Sequence, residues 1–318
     1  MIARLLFGQA RLLMNNAQDA SAIASRLITL ADGQSRALVY PERGFQLYGF
    51  ETTVAGQRIE LLHAPLVDRE AADRRYGNPV LFPAVGVSNG SRPDSWDHDG
   101  HALPMPSHGW ARNVYWQLER VEATSLTALL VPHPGFRLGF PFEFELRLTY
   151  RLQAGALVLE STLRNTGSSA FPYAYGLHPY LRAPILAGGS RGRCVVRVPA
   201  GTRLQSPDGW RTVAREATPA RTLAVHSPEL PGSVLMEKTG AAALEVEDQT
   251  AGLAARVSVE GSEQSFPVWV IWSASPDAPY VCLEPWTDAP NALNRPGTRT
   301  LEPGDAHRYR MALSARAL

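Results

Sequence analysis

Three short segments each place a titratable side chain beside glycine or proline at the end of an apolar run. The segments are residues 107–112 (Ser-His-Gly-Trp-Ala-Arg), 175–180 (Tyr-Gly-Leu-His-Pro-Tyr) and 281–286 (Val-Cys-Leu-Glu-Pro-Trp). Functional groups are often displayed in loops that a rigid scaffold positions. His108, His178 and Glu284 are therefore the first candidates for a site that carries out chemistry.

Glu284 gives the strongest signal of the three, because it closes an apolar run typical of a strand buried on both faces. A carboxylate in such a place is costly unless it is paired or functional. Burial would also raise its pKa, which suits a general base or acid. Each histidine by itself has a second interpretation. A turn residue such as His108 is more often a surface residue, and His178, which Pro179 holds in an extended conformation, is as typical of a structural histidine.

The combination of two histidines, a buried glutamate and several tryptophans suits sugar chemistry. The sequence contains no phosphate-binding loop, dinucleotide fingerprint, zinc-ligand spacing or Gly-x-Ser-x-Gly elbow. Aromatic faces stack on pyranose rings, and polar side chains bind the hydroxyls. Interconversion of two anomers needs a base at the anomeric hydroxyl and an acid at the ring oxygen, and a histidinium serves as that acid better than a neutral imidazole. We therefore expect neither a metal nor an organic cofactor.

The elements that must position these residues are predicted to be β-strands. Apolar and polar residues alternate over residues 142–152, which indicates a half-buried antiparallel strand. Asp32-Gly33 separates two further strands at a tight turn. The two strands beside this turn are residues 27–31 and 37–40. The other predicted strands are residues 157–164, 194–198, 255–259, 268–272, 280–283 and 308–313. Only residues 67–75 have helical character. We predict a single all-β domain, a large antiparallel β-sandwich, over residues 26–318, with residues 1–25 as a weakly ordered extension or docking segment.

Composition excludes several other classes of protein. Among 318 residues, 31 basic and 30 acidic side chains nearly cancel, so no overall field favours nucleic acid or a membrane surface. No run approaches the length of a membrane span. The two cysteines, Cys194 and Cys282, lie in apolar runs and match neither a disulfide framework nor a metal knuckle. We expect a cytoplasmic monomer or homodimer whose partner is a small-molecule sugar or sugar phosphate.

Seven short motifs in a fixed order resemble the aldose 1-epimerase (galactose mutarotase-like) superfamily. They are Gly-Asn-Pro-Val-Leu-Phe-Pro (77–83), His-Gly-Trp-Ala-Arg (108–112), Pro-Phe-Glu-Phe (141–144), Asn-Thr-Gly (165–167), His-Pro-Tyr (178–180), Glu-Pro-Trp (284–286) and Leu-Glu-Pro-Gly (301–304). Each motif alone is weak, but the ordered set is specific. The resemblance extends from about residue 26 to the C-terminus, and it implies a β-supersandwich with a sugar-binding cleft on one face.

The resemblance also assigns roles to individual residues. It implies that Glu284 is the general base at the anomeric hydroxyl and that His178 is the general acid at the ring oxygen. His108 would bind the sugar and stabilise charge near the ring oxygen, with support from Arg112. We expect Trp110, in the His-Gly-Trp-Ala-Arg motif, and Trp286, in the Glu-Pro-Trp motif, to provide apolar surface for the sugar.

The sequence departs from its relatives at two positions that contact the substrate. Many relatives carry an arginine where this chain has Val-Gly-Val-Ser-Asn (85–89), and the family's substrate aspartate has no clear counterpart, with Asp248 and Glu237 as candidates. Arg75 occupies the position of a ligand-binding arginine in hexose-phosphate epimerases of the superfamily. A hexose-6-phosphate mutarotase, with Arg75 and Arg112 binding the phosphate, is therefore one alternative. A non-catalytic carbohydrate-binding protein of the same fold is another.

Overall fold

The regular structure of the described residues is almost entirely β-strand, as predicted. The computed structural model describes residues 26–64, 76–238, 240, 242–261 and 265–318. The predicted N-terminal extension, residues 1–25, and the predicted helical segment, residues 67–75, lie outside the described residues. The assignment of residues 26–318 to one domain remains a prediction. Among the described residues, no helix is long and apolar enough to cross a membrane.

The described residues form 25 strands, most of them short. Those of the N-terminal half are β1 (Ile28–Ala31), β2 (Ser35–Tyr40), β3 (Gln46–Val54), β4 (Gln57–Glu60), β5 (Val80–Leu81), β6 (Ser95–His98), β7 (His101–Pro104), β8 (Gln117–Val121), β9 (Ser125–Leu130), β10 (Phe144–Gln153) and β11 (Ala156–Asn165). Those that follow are β12 (Phe171–Pro172), β13 (Gly176–Leu177), β14 (Tyr180–Arg182), β15 (Cys194–Val198), β16 (Gly201–Gln205), β17 (Ala214–Thr218), β18 (Arg221–Ala224), β19 (Val234–Glu237), β20 (Ala243–Asp248), β21 (Leu253–Glu260), β22 (Val268–Trp272), β23 (Tyr280–Trp286), β24 (Thr300–Leu301) and β25 (Ala306–Ala317). Within the described ranges, helical structure is limited to α1 (Pro134–Arg137) and to single 3₁₀ turns at Ala111–Asn113, Arg191–Arg193, Leu230–Gly232 and Ala292–Asn294.

Two large antiparallel sheets make the sandwich. One has nine strands in the order β18-β15-β20-β21-β25-β11-β10-β9-β8. The other has eight, in the order β17-β16-β19-β22-β23-β13-β5, with β14 also paired to β23. Strands β1 to β4 form a smaller sheet of their own. The main core contains residues of both large sheets, such as Leu148 of β10 and Leu283 of β23, so it lies between them.

The alternating run that the sequence shows most clearly forms the hairpin β10–β11. Phe144, Leu146, Leu148 and Tyr150 are buried, whereas the residues between them are partly exposed or exposed. The hairpin is in register along its whole length, and β9 and β25 extend the sheet on either side. The period of two therefore predicted both the strand and the face that it buries.

Strand β23 is the element that matters most for the site, and it is longer than predicted. It continues past Leu283 to Trp286, so Glu284 lies inside the strand instead of at its end. All seven of its residues are buried. Val281 and Leu283 point into the main core, whereas Trp286 and Cys282 pack in separate apolar clusters on the opposite face. Because side chains alternate along a strand, Glu284 shares that second face.

The loop that carries His108 is attached to the end of β5 by close backbone contact. Gly109 forms a bridge with Phe82, whose carbonyl oxygen accepts hydrogen bonds from the N–H groups of Trp110 and Ala111. Gly109 has φ +68°, and a Cβ atom added there would lie 2.3 Å from the Phe82 carbonyl oxygen. Only glycine fits this contact without a shift of the backbone.

This crowding predicts different costs for two glycine-to-alanine substitutions at positive φ. Gly33 in the β1–β2 turn has φ +83°, and a Cβ atom added there would have no other atom within 4 Å. G33A should destabilise the fold by about 1 kcal/mol, the cost of the backbone conformation alone. G109A should cost about 3 kcal/mol or more, because the Phe82 carbonyl must also move. Urea unfolding would compare the two, and equal midpoints would show that the loop does not depend on this contact.

Candidate active site

The strand register places His178 directly across from Glu284. β13 pairs with the C-terminal end of β23 through Gly176, and β14 pairs with its N-terminal half through Tyr180. His178 lies between these two short strands, and its partner in that register is Glu284. The Nε2 atom of His178 is 3.3 Å from Oε2 of Glu284. The two residues expected to form an acid–base pair are thus in direct contact.

The orientation of His178 is set by its backbone and by aromatic packing. Its N–H donates to Oδ1 of Asn78 at 2.9 Å and to the carbonyl oxygen of Pro79 at 3.2 Å. Its imidazole stacks on the ring of Tyr180 with a centroid distance of 4.7 Å and an interplanar angle of 11°. The indole of Trp272 meets the imidazole edge-on at 5.7 Å. These contacts turn Nε2 toward the carboxylate.

His108 completes the site from a loop with an unusual backbone conformation. Its φ is +66°, which is uncommon for a residue with a side chain and is concentrated at functional sites. Its N–H donates to the Gly86 carbonyl oxygen, and its Nδ1 accepts the Gly86 N–H at 3.1 Å. Its ring lies 5.4 Å from that of His178 and 5.6 Å from the indole of Trp286. Because Nδ1 is an acceptor, the proton of the neutral ring is on Nε2.

Burial dominates the electrostatics of the site. Burial raises the pKa of the Glu284 carboxyl group well above its usual value, and the indole of Trp286 and the charge of Arg112 only partly oppose this. Burial also lowers the pKa of His108 well below its usual value, with further contributions from His178 and Arg112. His108 is therefore neutral at physiological pH, whereas Glu284 holds or shares a proton at a pH where an exposed glutamate is ionised.

Three other predicted site residues, Arg112, Trp110 and Arg75, have different outcomes. Arg112 lies close enough for its charge to act on both His108 and Glu284, and its Nη2 donates to the Ser107 carbonyl oxygen at 2.9 Å. Trp110 packs against the main core, so its predicted contact with the sugar gains no support from this placement. Arg75 lies outside the described residues.

Sequence reasoning missed three residues that shape the site. Trp272 and Tyr180 enclose the imidazole of His178, and Asn78 holds its backbone. Asn78 and Tyr180 belong to motifs that were recognised, but their contact with His178 depends on strand pairing. Trp272 lies beside His178 because it pairs with Cys282 of β23. The sequence of residues 268–272 predicts a strand but does not predict which strand it pairs with.

The two candidates for the substrate aspartate have different surroundings. Asp248 is fully buried in the nine-stranded sheet, where its carboxylate accepts backbone N–H groups of Ile185, Thr250 and Ala251, which is a structural role. Glu237 lines a cavity of about 670 Å³ and accepts a hydrogen bond from Arg215. The same cavity is lined by Thr287 and its neighbours, which directly follow β23.

The three central side chains meet as predicted, but they are less accessible than predicted. Glu284 is 1% exposed and His178 is 5% exposed, so the acid–base pair is almost completely buried. His108 is half-buried. Of the three side chains predicted to line a solvent-accessible cleft, His108 is therefore accessible, whereas His178 and Glu284 are not. A sugar would have to reach the pair past this histidine or displace neighbouring side chains.

The chain belongs to the aldose 1-epimerase family, whose model matches residues 26–314. Among curated proteins, it is similar to the chromosomal LacX protein of Lactococcus lactis, with 23% identity over 239 residues that cover 70% of this chain and 78% of LacX. The match spans most of the chain, as the ordered motifs had predicted.

Solved structures show the same fold. A galactose mutarotase related enzyme from Lactobacillus acidophilus is 22% identical and superposes with a TM-score of 0.76 over 91% of this chain and 97% of its own. A galactose mutarotase-like protein from Clostridium acetobutylicum is 19% identical, with a TM-score of 0.76 over 92% of this chain and 95% of its own. The supersandwich expected from the motifs is thereby confirmed.

The raised pKa of Glu284 predicts that E284Q becomes more stable than the wild type as the pH rises. In the unfolded chain this carboxyl group ionises near its usual pKa, whereas in the folded chain it retains its proton to higher pH. The folded state then binds more protons, so the wild-type protein loses stability as pH rises through this window. Near pH 4 the two proteins should melt together. Near pH 7 E284Q should melt about 2 °C or more higher.

Thermal melts of both proteins across this pH range would test the prediction. The matched control is E260Q, which changes an exposed glutamate at the end of β21 that is paired with Arg310. Its melting temperature should differ from that of the wild type by a similar small amount at every pH. A difference for E284Q that stays constant with pH would contradict the argument.

Proposed function

We propose that this protein is an aldose 1-epimerase that interconverts the α and β anomers of a free sugar. The observation that carries the proposal is the contact between Nε2 of His178 and Oε2 of Glu284, at 3.3 Å in an almost fully buried site. An acid and a base so close together can serve two oxygens attached to the same carbon. The anomeric centre of a pyranose, with its ring oxygen and its hydroxyl, is such a group.

The pair shares one proton, and the proposed reaction starts from the state in which that proton is on Nε2 of His178 and Glu284 is ionised. The carboxylate takes the proton of the anomeric hydroxyl while the imidazolium donates its proton to the ring oxygen, and the C1–ring oxygen bond breaks. The products are an open-chain aldehyde, a protonated carboxyl group and a neutral imidazole. Rotation about the C1–C2 bond presents the other face of the aldehyde. The carboxyl group then gives its proton to the aldehyde oxygen while the imidazole takes the proton of the hydroxyl that the ring oxygen had become, and the ring closes as the opposite anomer.

The buried setting suits the two reacting groups to each other. Burial raises the pKa of the Glu284 carboxyl group, so the carboxylate is a stronger base than an exposed one. It also excludes water, which strengthens the electrostatic interactions made during proton transfer. Neutralising the carboxylate and the imidazolium together leaves no net charge behind in the apolar site.

His108 would act as a hydrogen-bond donor and not as an acid. Its pKa is lowered by burial and by the charge of Arg112, so it is neutral. Its Nδ1 is occupied by the Gly86 N–H, which leaves Nε2–H to donate to the sugar. A neutral donor can stabilise the developing charge at the ring oxygen and leaves the proton transfer to His178. The aromatic rings of Trp286 and Trp272, which contact His108 and His178 respectively, offer apolar surface for the sugar ring.

Substitution of either member of the pair should abolish most of the catalysed rate. E284Q keeps the shape of the side chain but removes the base, and H178N removes the acid. Each should lower turnover by roughly 10²–10⁴-fold. The double variant should be little worse than either single variant, because groups that act as a unit are not additive. Polarimetry or saturation-transfer NMR would measure the rate of anomer exchange.

Two controls keep this test specific. Sugar binding should persist in both variants, and E260Q should retain the wild-type rate. Folded single variants with an unchanged rate would show that the pair does not catalyse the exchange. If the wild-type protein bound sugars without accelerating exchange, the chain would instead be the carbohydrate-binding protein considered above.

The main alternative substrate is a hexose 6-phosphate. It requires Arg75 and Arg112 to bind the phosphate together, and Arg112 is already hydrogen-bonded to the Ser107 carbonyl oxygen. We expect kcat/KM for free aldoses to exceed that for the corresponding 6-phosphates. Exchange rates for a panel of paired sugars, with and without the phosphate, would decide the matter. A preference for the phosphates that is lost in R112M would favour the alternative.

A further inference from the structure

The acid–base pair has a third neighbour that the proposed reaction does not use. The thiol of Cys282 is two residues before Glu284 on β23, so both side chains lie on the same face of the sheet. One donor atom from each of His178, Cys282 and Glu284 lies within 4.8 Å of the other two. Cys282 is fully buried and forms no disulfide.

We propose that His178, Cys282 and Glu284 form a binding site for a thiophilic divalent cation of the Zn²⁺ class, and that occupancy of this site inhibits the enzyme. Imidazole, thiolate and carboxylate are the three ligand types that Zn²⁺ accepts. The inhibitory part of the proposal rests on the function proposed above, because the cation would occupy both proton-transferring groups. The binding part does not depend on that function.

The spacing of the donors fits a tetrahedral ion. Zn–N and Zn–O bonds of about 2.0–2.1 Å at a tetrahedral angle separate the two ligand atoms by about 3.3–3.4 Å. Nε2 of His178 and Oε2 of Glu284 are 3.3 Å apart. This Oε2 atom is buried and has no hydrogen-bond partner among the described residues. The cation would therefore bind the pair with little movement and would need only the thiol to turn toward it.

The charge of the donor set also favours this ion. One carboxylate and one thiolate carry two negative charges, which balance a divalent cation, while the imidazole binds in its neutral form. A buried ion with a neutral total charge avoids most of the cost of desolvation. Mg²⁺ and Ca²⁺ prefer sets of oxygen ligands, so the thiol and imidazole select against them.

Titration with Co²⁺ tests the binding site directly. The chelator-treated wild-type protein should develop the visible absorption of tetrahedral Co²⁺ and a near-ultraviolet band from thiolate-to-metal charge transfer, and Zn²⁺ should abolish both. C282S should lose the charge-transfer band. The matched control is C194S, which removes the other buried thiol from β15 and should keep the band. Circular dichroism would confirm that the variants are folded, and C282A replaces C282S if that variant does not fold.

Anomer exchange measured on the same samples tests the inhibition. Zn²⁺ should inhibit the wild type and C194S at the concentrations that displace Co²⁺. C282S should be active, and its half-inhibiting Zn²⁺ concentration should be higher by at least about tenfold. Absence of the charge-transfer band in the wild type, or its persistence in C282S, would overturn the site. If the band appeared as expected but Zn²⁺ left the exchange rate unchanged, the cation site would stand, and the assignment of catalysis to the pair would fail.

Discussion

A carboxyl group buried in the middle of an apolar strand is the constraint to which the other parts of the site respond. Glu284 is 1% exposed and lies on a strand whose seven residues are all buried. A charged carboxylate there would be expensive without a partner. The structure provides one at 3.3 Å, the imidazole of His178, and places the charge of Arg112 near enough to act on it. The same burial raises the pKa of this carboxyl group, so the cost in stability and the higher basicity of the carboxylate have one origin.

The scaffold explains how such a pair is held in place. Two short strands, β13 and β14, pair with the same long strand on either side of His178, so backbone register and the hydrogen bond to Asn78 set its position. Stacking on Tyr180 then sets the angle of the ring. The His108 loop is held by contacts of a different kind, a crowded glycine and two hydrogen bonds with Gly86. Sheet register and loop packing thus position the two histidines independently.

The face of the sheet that carries the candidate site contains both apolar and titratable side chains. Trp286 and Cys282 pack in small apolar clusters on either side of Glu284, separate from the main core between the sheets. On the opposite face of β23, Val281 and Leu283 join the main core. This division lets one strand contribute to the main core with one set of alternating residues and to the candidate site with the other. Beyond this strand, Thr287 and Asp288 line a cavity together with Glu237 and Arg215.

The sequence by itself determined the all-β class, the alternating hairpin of residues 144–165 and the family, and it predicted that His108, His178 and Glu284 lie together. These features depend on local periodicity and on short motifs, which are properties of neighbouring residues. The tertiary structure alone decided that Glu284 lies within its strand, that Trp272 and Tyr180 enclose His178, and that Trp110 packs against the core. It also brought the thiol of Cys282 to the acid–base pair. The physical reason is that such contacts depend on which strands pair and in which register, and that choice is made by residues far apart in the chain.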